Sequence, residues 1–242
     1  MEDHLMRYSK ITMKNPREIV LLRGSGCKWK QCTFCDYHYD CCENQDENYE
    51  LNRRVLSEVT GIYHSLEVIN SGSFCDLDEN TMKLIRTICL KKGISVLRFE
   101  SHWIHRGRIP DLKAFFGEAG IQVKIKMGIE TFDEDFRENV LHKGMRHVTP
   151  HQAAEYADEV CLLFGLTGQT EESMRKDIET GLTYFERICV NIMNENTTDI
   201  HPDPDVIRIF MEKLFLQYRN EQRADILIEN TEFGVGGEKD DE

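Results

Sequence analysis

Three cysteines crowd into one short stretch, Gly24-Ser25-Gly26-Cys27-Lys28-Trp29-Lys30-Gln31-Cys32-Thr33-Phe34-Cys35-Asp36-Tyr37. Thiolates at that density hold soft metals. A [4Fe-4S] cluster offers four irons, so three protein sulfurs leave one iron open to a small molecule. The alternative is zinc, with Cys27, Cys32, Cys35 and His38 closing a Cys3His tetrahedron, and a non-catalytic zinc-binding regulator would follow from it. Zinc usually staples a small domain that lacks a core, whereas this chain has 242 residues, 40% of them hydrophobic. The doublet Cys41-Cys42 is a further pair of candidate ligands, read here as incidental. Cys75, Cys89, Cys161 and Cys189 lie in apolar stretches, where cysteine packs as a small hydrophobe.

A metal loop needs a scaffold, and the pattern around it is repetitive. Short runs rich in Val, Ile, Leu or Phe at Glu18–Arg23, Leu66–Asn70, Ser95–Glu100, Gln122–Met127, Glu159–Phe164 and Ile188–Met193 read as strands. Helical patterns follow at Asn52–His64, Glu79–Lys92, Ile109–Ala119, Asp133–His142, Glu171–Phe185 and Asp205–Asn220, with a short extra helix at Pro150–Tyr156. Gly93, Gly120 and Gly144 stand where helices should stop. Alternating βα units build a parallel sheet. A complete eight-unit barrel takes about 250 residues, so six units plus loops predict an α/β fold: a single-domain, partial (βα)6 TIM-like barrel over residues 1–242. Ala224–Gly237 is a candidate last strand, and 238–242 reads as a short flexible acidic tail.

In such folds chemistry gathers where strands end and loops begin. The polar clusters fall there: Gly24–Asp36, Asn70–Ser73, Glu100–His102, Gly128–Thr131, Gly165–Thr170 and Asn194–Thr198.

Net charge is −13, and a protein that neutralises many phosphates needs a basic face, so nucleic acid is a disfavoured partner. Lys28 and Lys30 make only a small basic spot. No apolar run reaches the roughly 18 residues of a membrane span. With an odd count of nine cysteines and no signal peptide at its start, the chain is expected to be cytoplasmic, with free thiols.

The cysteine loop resembles the radical S-adenosylmethionine (SAM) superfamily signature, three cysteines ending in Cys-x-aromatic-Cys, here Cys32-Thr33-Phe34-Cys35. The usual first gap of the signature is one residue shorter than the gap between Cys27 and Cys32, which implies an unusual branch. Further motifs match in order. Asn70-Ser71-Gly72-Ser73 stands where the superfamily's Gly-Gly-Glu stretch holds the cofactor's amino group. It lacks the acid, so backbone carbonyls would do that work. Glu130, in Gly128-Ile129-Glu130-Thr131, would meet the ribose or methionine end, and Gly165-Leu166 would lie along adenine, with Phe34 packed near it. The resemblance implies a [4Fe-4S] cluster and S-adenosyl-L-methionine as cofactors, and a one-electron donor such as flavodoxin or ferredoxin. Cleavage of the cofactor's carbon–sulfur bond would give a 5′-deoxyadenosyl radical that abstracts hydrogen from a substrate at the barrel mouth.

A narrower resemblance rests on Gly26-Cys27-x-Trp29, Cys32-x-x-Cys35-Asp36-Tyr37, Asn70 to Phe74, and Glu100-Ser101. It is to the radical lyases of 7-deazaguanine metabolism. One branch acts on tRNA in archaeosine formation; a shorter bacterial branch, the queuine lyases, acts on the free base in queuosine salvage. Small size and acidity imply the second, with a tRNA-modifying or other radical enzyme as the alternative. The reaction implied is carbon–nitrogen cleavage between the cyclopentenediol and the aminomethyl nitrogen, releasing 7-aminomethyl-7-deazaguanine (preQ1). A deazaguanine presents N–H donors on one edge, which a carboxylate would accept in a charge-assisted pair. Glu100 is the leading candidate for that catalytic-site role, then Asp36 and Glu195, with His102, Asn194 and Asn196 as further hydrogen-bonding residues.

Overall fold

Fully buried apolar runs form the strands. In the computed structural model, which describes residues 5–36 and 39–228, β1 (Tyr8–Ile11), β2 (Arg17–Leu22), β3 (Ser65–Asn70), β4 (Val96–Ser101), β5 (Gln122–Glu130), β6 (Glu159–Phe164), β7 (Arg187–Ile192) and β8 (Ala224–Leu227) form one sheet in chain order. β1 pairs antiparallel with β2, and every later neighbour pair is parallel. The architecture is a partial βα barrel with seven parallel strands. The candidate strand at Ala224 is real over four residues; its predicted continuation, the tail 238–242 and His38 lie outside the described residues. Antiparallel β1 was not expected, because Tyr8-Ser9-Lys10-Ile11 is a short, polar edge.

Alternation sorts the strand residues. Val20, Leu22, Val68, Leu97, Phe99, Ile125, Val160, Phe164 and Val190 face outward, where the helices cover them. Burying each such side chain contributes about 1.5–3 kcal/mol. Ile19, Leu21, Ile69, Cys189 and Leu227 line the lumen, with Cys161 packed on them. The floor of the lumen is ionic. Glu67 is bonded to both Arg17 and Lys126, and Arg98 donates to Glu159 at 2.9 Å and to Ser65 at 2.6 Å. Burial would raise the Glu67 pKa, but Arg17 and Lys126 hold it far below the usual carboxylate range. Lys14 donates to the Ala224 carbonyl at 2.6 Å, bridging the two ends of the open sheet.

The helices are α1 (Gln45–Ser57), α2 (Glu79–Lys92), α3 (Ile109–Gly117), α4 (Glu134–Asn139), α5 (Pro150–Ala154), α6 (Glu171–Tyr184), α7 (Pro204–Ile209) and α8 (Leu216–Tyr218). The expected helix at Asn52–His64 is shifted: α1 starts seven residues earlier, at Gln45, where the Asn44 side chain caps the Asp46 and Glu47 amides. Its start was obscured because Asn48 and Asn52, poor helix formers, are buried partners of the β2 end. Asn52 exchanges hydrogen bonds with both backbone groups of Arg23, while Asn48 accepts from the Arg23 side chain and donates to the Cys42 carbonyl. The last helix runs through as predicted, except that Phe210–Phe215 takes a π turn between α7 and α8, keeping Phe210 and Leu214 buried. Gly93 ends α2 in the left-handed region, as expected, at φ 67°. Gly144 ends no helix, because α4 stops at Asn139.

Candidate active site at the barrel mouth

The cysteine loop leaves β2 and is tied down on three sides. On the β3 side, the Ser25 amide donates to the Asp76 carbonyl at 2.9 Å, and a Cβ at Gly72 would lie 3.1 Å from the Cys27 nitrogen. On the β5 side, Trp29 Nε1 donates to the His142 carbonyl at 2.8 Å, while the Thr33 amide and hydroxyl donate to Leu141 and Val140 carbonyls. On the β7 side, Asn196 Nδ2 donates to the Phe34 carbonyl at 2.7 Å, and the Thr197 amide and hydroxyl donate to Asp36 at 3.1 and 3.2 Å. Asp36 and Asn196 therefore tie the cysteine loop to the segment after β7.

Trp29 also stacks on His102, with ring centroids 5.5 Å apart and planes 21° from parallel. His102 Nε2 lies 2.9 Å from the Lys143 carbonyl and Nδ1 accepts from the Ile104 amide, so the contacts fix the Nε2–H tautomer and occupy both nitrogens. Burial, then the Lys143 charge, pushes its pKa down to about 3, so the ring is neutral. His102 thus has no ring nitrogen left for a substrate; it positions Trp29 and the Lys143 loop.

Lys143 is the buried charge of the mouth that no motif marked. Its ammonium lies 2.8 Å from Glu130 Oε1 and 5.5 Å from the Phe34 ring centroid. Burial would lower its pKa, but Glu130 and the Cys32 and Cys35 sulfurs outweigh that and raise it. Glu130 sits at φ 70° on a register shift of β5, folding its carboxylate back over Gly128, where a Cβ would lie 2.6 Å from Oε1. Burial raises the Cys32 pKa and the Lys143 charge opposes the rise.

At the end of β3, Asn70 Nδ2 donates to the Ser73 carbonyl, while its Oδ1 is buried without a partner. Ser73 accepts at its hydroxyl from the His102 amide. Asp76, which the sequence reading passed over, accepts from the Ser73 amide through Oδ2 and keeps Oδ1 buried and unpaired. Its spacing from Ser73 is that of a capping box, a signal present in the sequence. An acid therefore does stand beside the Asn70–Ser73 motif, which carries none of its own. After β6, the Leu166 amide donates to Gln169, which itself donates to the Leu163 carbonyl, fixing the Gly165-Leu166 turn.

Glu100 points into the lumen, two residues beyond Arg98. Among the described residues no donor reaches its carboxylate, and burial raises its pKa to about 7, with Lys126 opposing and Glu67 adding to the rise. Glu195 is different: it is exposed and pairs with His201 at 2.9 Å. Its carboxylate is no buried acceptor in this arrangement, and Asn194 beside it is exposed too.

Among the described residues no three His, Cys, Asp or Glu groups gather at single-ion spacing. Cys27, Cys32 and Cys35 are partly exposed thiols on one loop, outside any disulfide. Together with two orphaned acceptor oxygens at the end of β3, on Asn70 and Asp76, and a buried ammonium acting on Cys32 and Cys35, they suit a multi-iron cluster carrying an aminoacyl ligand. Cys41 packs against Gly26, and Cys42 Sγ lies 3.7 Å from Glu47.

No family model matches the sequence. A solved structure, the queuine lyase from Clostridium spiroforme bound to SAM and queuine, superposes with a TM-score of 0.90 at 40% identity, covering 96% of this chain and 99% of that one. The chain belongs to the queuine lyase family. An uncharacterized protein of Methanocaldococcus jannaschii, MJ0550, is 26% identical over 156 residues, 57% of this chain, and the match spans 42% of that protein. Among the described residues of this family member, no helix is long and apolar enough to cross a membrane.

Proposed function

We propose that this queuine lyase family member is a radical SAM lyase that cleaves free queuine at its carbon–nitrogen link and releases preQ1. The observation that carries the reading is the whole-length match to a queuine lyase holding SAM and queuine. Cys27, Cys32 and Cys35 would hold the [4Fe-4S] cluster, and the chemistry supplied there, with SAM bound and one electron delivered, is generation of a hydrogen-abstracting radical.

This chain's own residues do the rest. Asn70 Oδ1 and Asp76 Oδ1 offer acceptors to the cofactor's ammonium, with Ser71, Gly72 and Ser73 as the surrounding backbone. Glu130, held by Lys143, faces the ribose or methionine end, and Phe34, Gly165 and Leu166 supply the adenine surface. Glu100 accepts the N–H edge of the deazaguanine in its ionised form. The apolar lumen wall above an ion-paired floor excludes water from the radical. A cytoplasmic setting, a small-molecule substrate and an outside electron donor complete the proposal. Anaerobic protein reconstituted with iron and sulfide, then given dithionite, SAM and queuine, should yield 5′-deoxyadenosine and preQ1 by mass spectrometry. Abundant 5′-deoxyadenosine without preQ1 would assign another substrate.

A further inference from the structure

The two halves of the mouth carry opposite charge. Residues 24–35, 102–110 and 140–149 contain no Asp or Glu, in a chain that has 43 acidic residues. They carry exposed Lys28, Lys30, Arg106, Arg108 and Arg146, and His105. Across the mouth, the segments after β6 and β7, including the first turns of α6 and α7, carry Glu172, Glu195, Asp199, Asp203 and Asp205.

The basic stretches form one rim. Trp29, flanked by Lys28 and Lys30, stacks on His102, from which the Trp103–Arg108 turn departs, and bonds to His142 in the third stretch. Arg106 lies over the Trp103 ring at 4.6 Å, which holds its charge at the surface. Lys28, Lys30 and His105 all bear electrostatically on Asp76, and Arg108 bears on His105. Asp111, 3.9 Å from Arg108, and Glu134, paired with His147, only partly offset the rim.

We propose that this rim docks an acidic one-electron carrier protein, placing the carrier's redox group beside Cys27, where the cluster loop reaches the surface. The proposal rests on the cluster reading above. At a net charge of −13 the protein as a whole repels an acidic carrier, and the basic arc steers it to the cysteine loop, where electron transfer is useful. A nucleic acid would need a longer basic track than one loop-sized arc on a chain of charge −13. A small, transient contact suits a carrier that must leave after each electron.

The test compares the reconstituted holoenzyme with the triple variant Lys30→Glu, Arg106→Glu and Arg108→Glu. Cluster reduction is followed by bleaching of its visible absorption, with a reduced acidic flavodoxin or with dithionite as donor. The flavodoxin rate should fall about tenfold or more in the variant, and wild-type should slow as salt rises from about 0.05 to about 0.3 M. Dithionite should reduce both proteins alike and give the same 5′-deoxyadenosine, which shows that the variant is folded. Equal flavodoxin rates in the two proteins, at low salt, would overturn the docking surface. So would a variant that loses only tRNA binding. Absence of any visible chromophore in wild-type would instead defeat the cluster reading.

Discussion

At the scale of single residues, Glu100 shows how a lumen fixes a protonation state. Its pKa of about 7 follows from burial, so the carboxylate ionises across neutral pH. Because the ionised form is the acceptor, queuine affinity should increase as pH rises through about 7, measured by equilibrium binding to the reconstituted protein. Glu100→Gln should flatten that profile and weaken binding about 10- to 100-fold, the worth of a charged hydrogen bond. Unchanged affinity would remove Glu100 from the substrate site. Replacing Cys27, Cys32 or Cys35 with alanine should abolish both bound iron and 5′-deoxyadenosine while leaving the far-ultraviolet circular dichroism intact. The cysteines and Glu100 were legible in the sequence because spacing and strand-end position mark them. Lys143 was not, since a lone lysine in a loop has no signature until β5 folds Glu130 back against it. The surroundings of His102 and Glu195 were not legible for a related reason: whether a polar side chain meets a backbone carbonyl or solvent is decided by loop geometry.

At the scale of elements, the cysteine loop depends on contacts that glycine alone permits. Gly144 sits at φ 69°, and a Cβ there would lie 2.3 Å from the Trp29 ring. Gly144→Ala should therefore lower the melting temperature and reduce iron incorporation together, because Trp29 must leave its place between His102 and the His142 carbonyl. Gly107→Ala, with nothing within 4 Å, is the control and should change neither. Sequence spacing placed Gly144 correctly as a special position but assigned it to a helix end. The floor gives a second test. Lys126→Met leaves Glu67 with Arg17 as its remaining partner, and should cost about 3 kcal/mol in urea unfolding. Part of that loss should return when Glu67→Gln is added, as expected for coupled sites. The strands were readable because their outer faces are continuously apolar, whereas α1 was misplaced because its buried asparagines serve the end of β2.

Over the whole molecule, the barrel class followed from the alternation of apolar runs and helical patterns, and the six βα units counted in the sequence are present from β2 to α7, with the four-residue β8 added as a seventh parallel strand. Among the described residues burial raises the carboxyls of Asp76, Glu100 and Asp177; Glu100, lifted to about 7, and Asp177, lifted to about 6, set a pH dependence of stability. Each stays protonated in the fold at pH values where the unfolded chain has released its proton. Their effect is thus to lower stability as pH rises from about 4.5 to about 7. Relative to wild-type, Glu100→Gln should gain stability on titration from pH 5 to pH 7, read by the urea midpoint; no relative gain would contradict the raised pKa. The sealed ionic floor has one further consequence. Among the described residues the lumen is a cup rather than a pipe, so in the proposed reaction cofactor, base and products would share one doorway, with the proposed carrier at its edge. Turnover must then be sequential: the visitor that brings the electron has to depart, or lean aside, before the spent molecules can be exchanged.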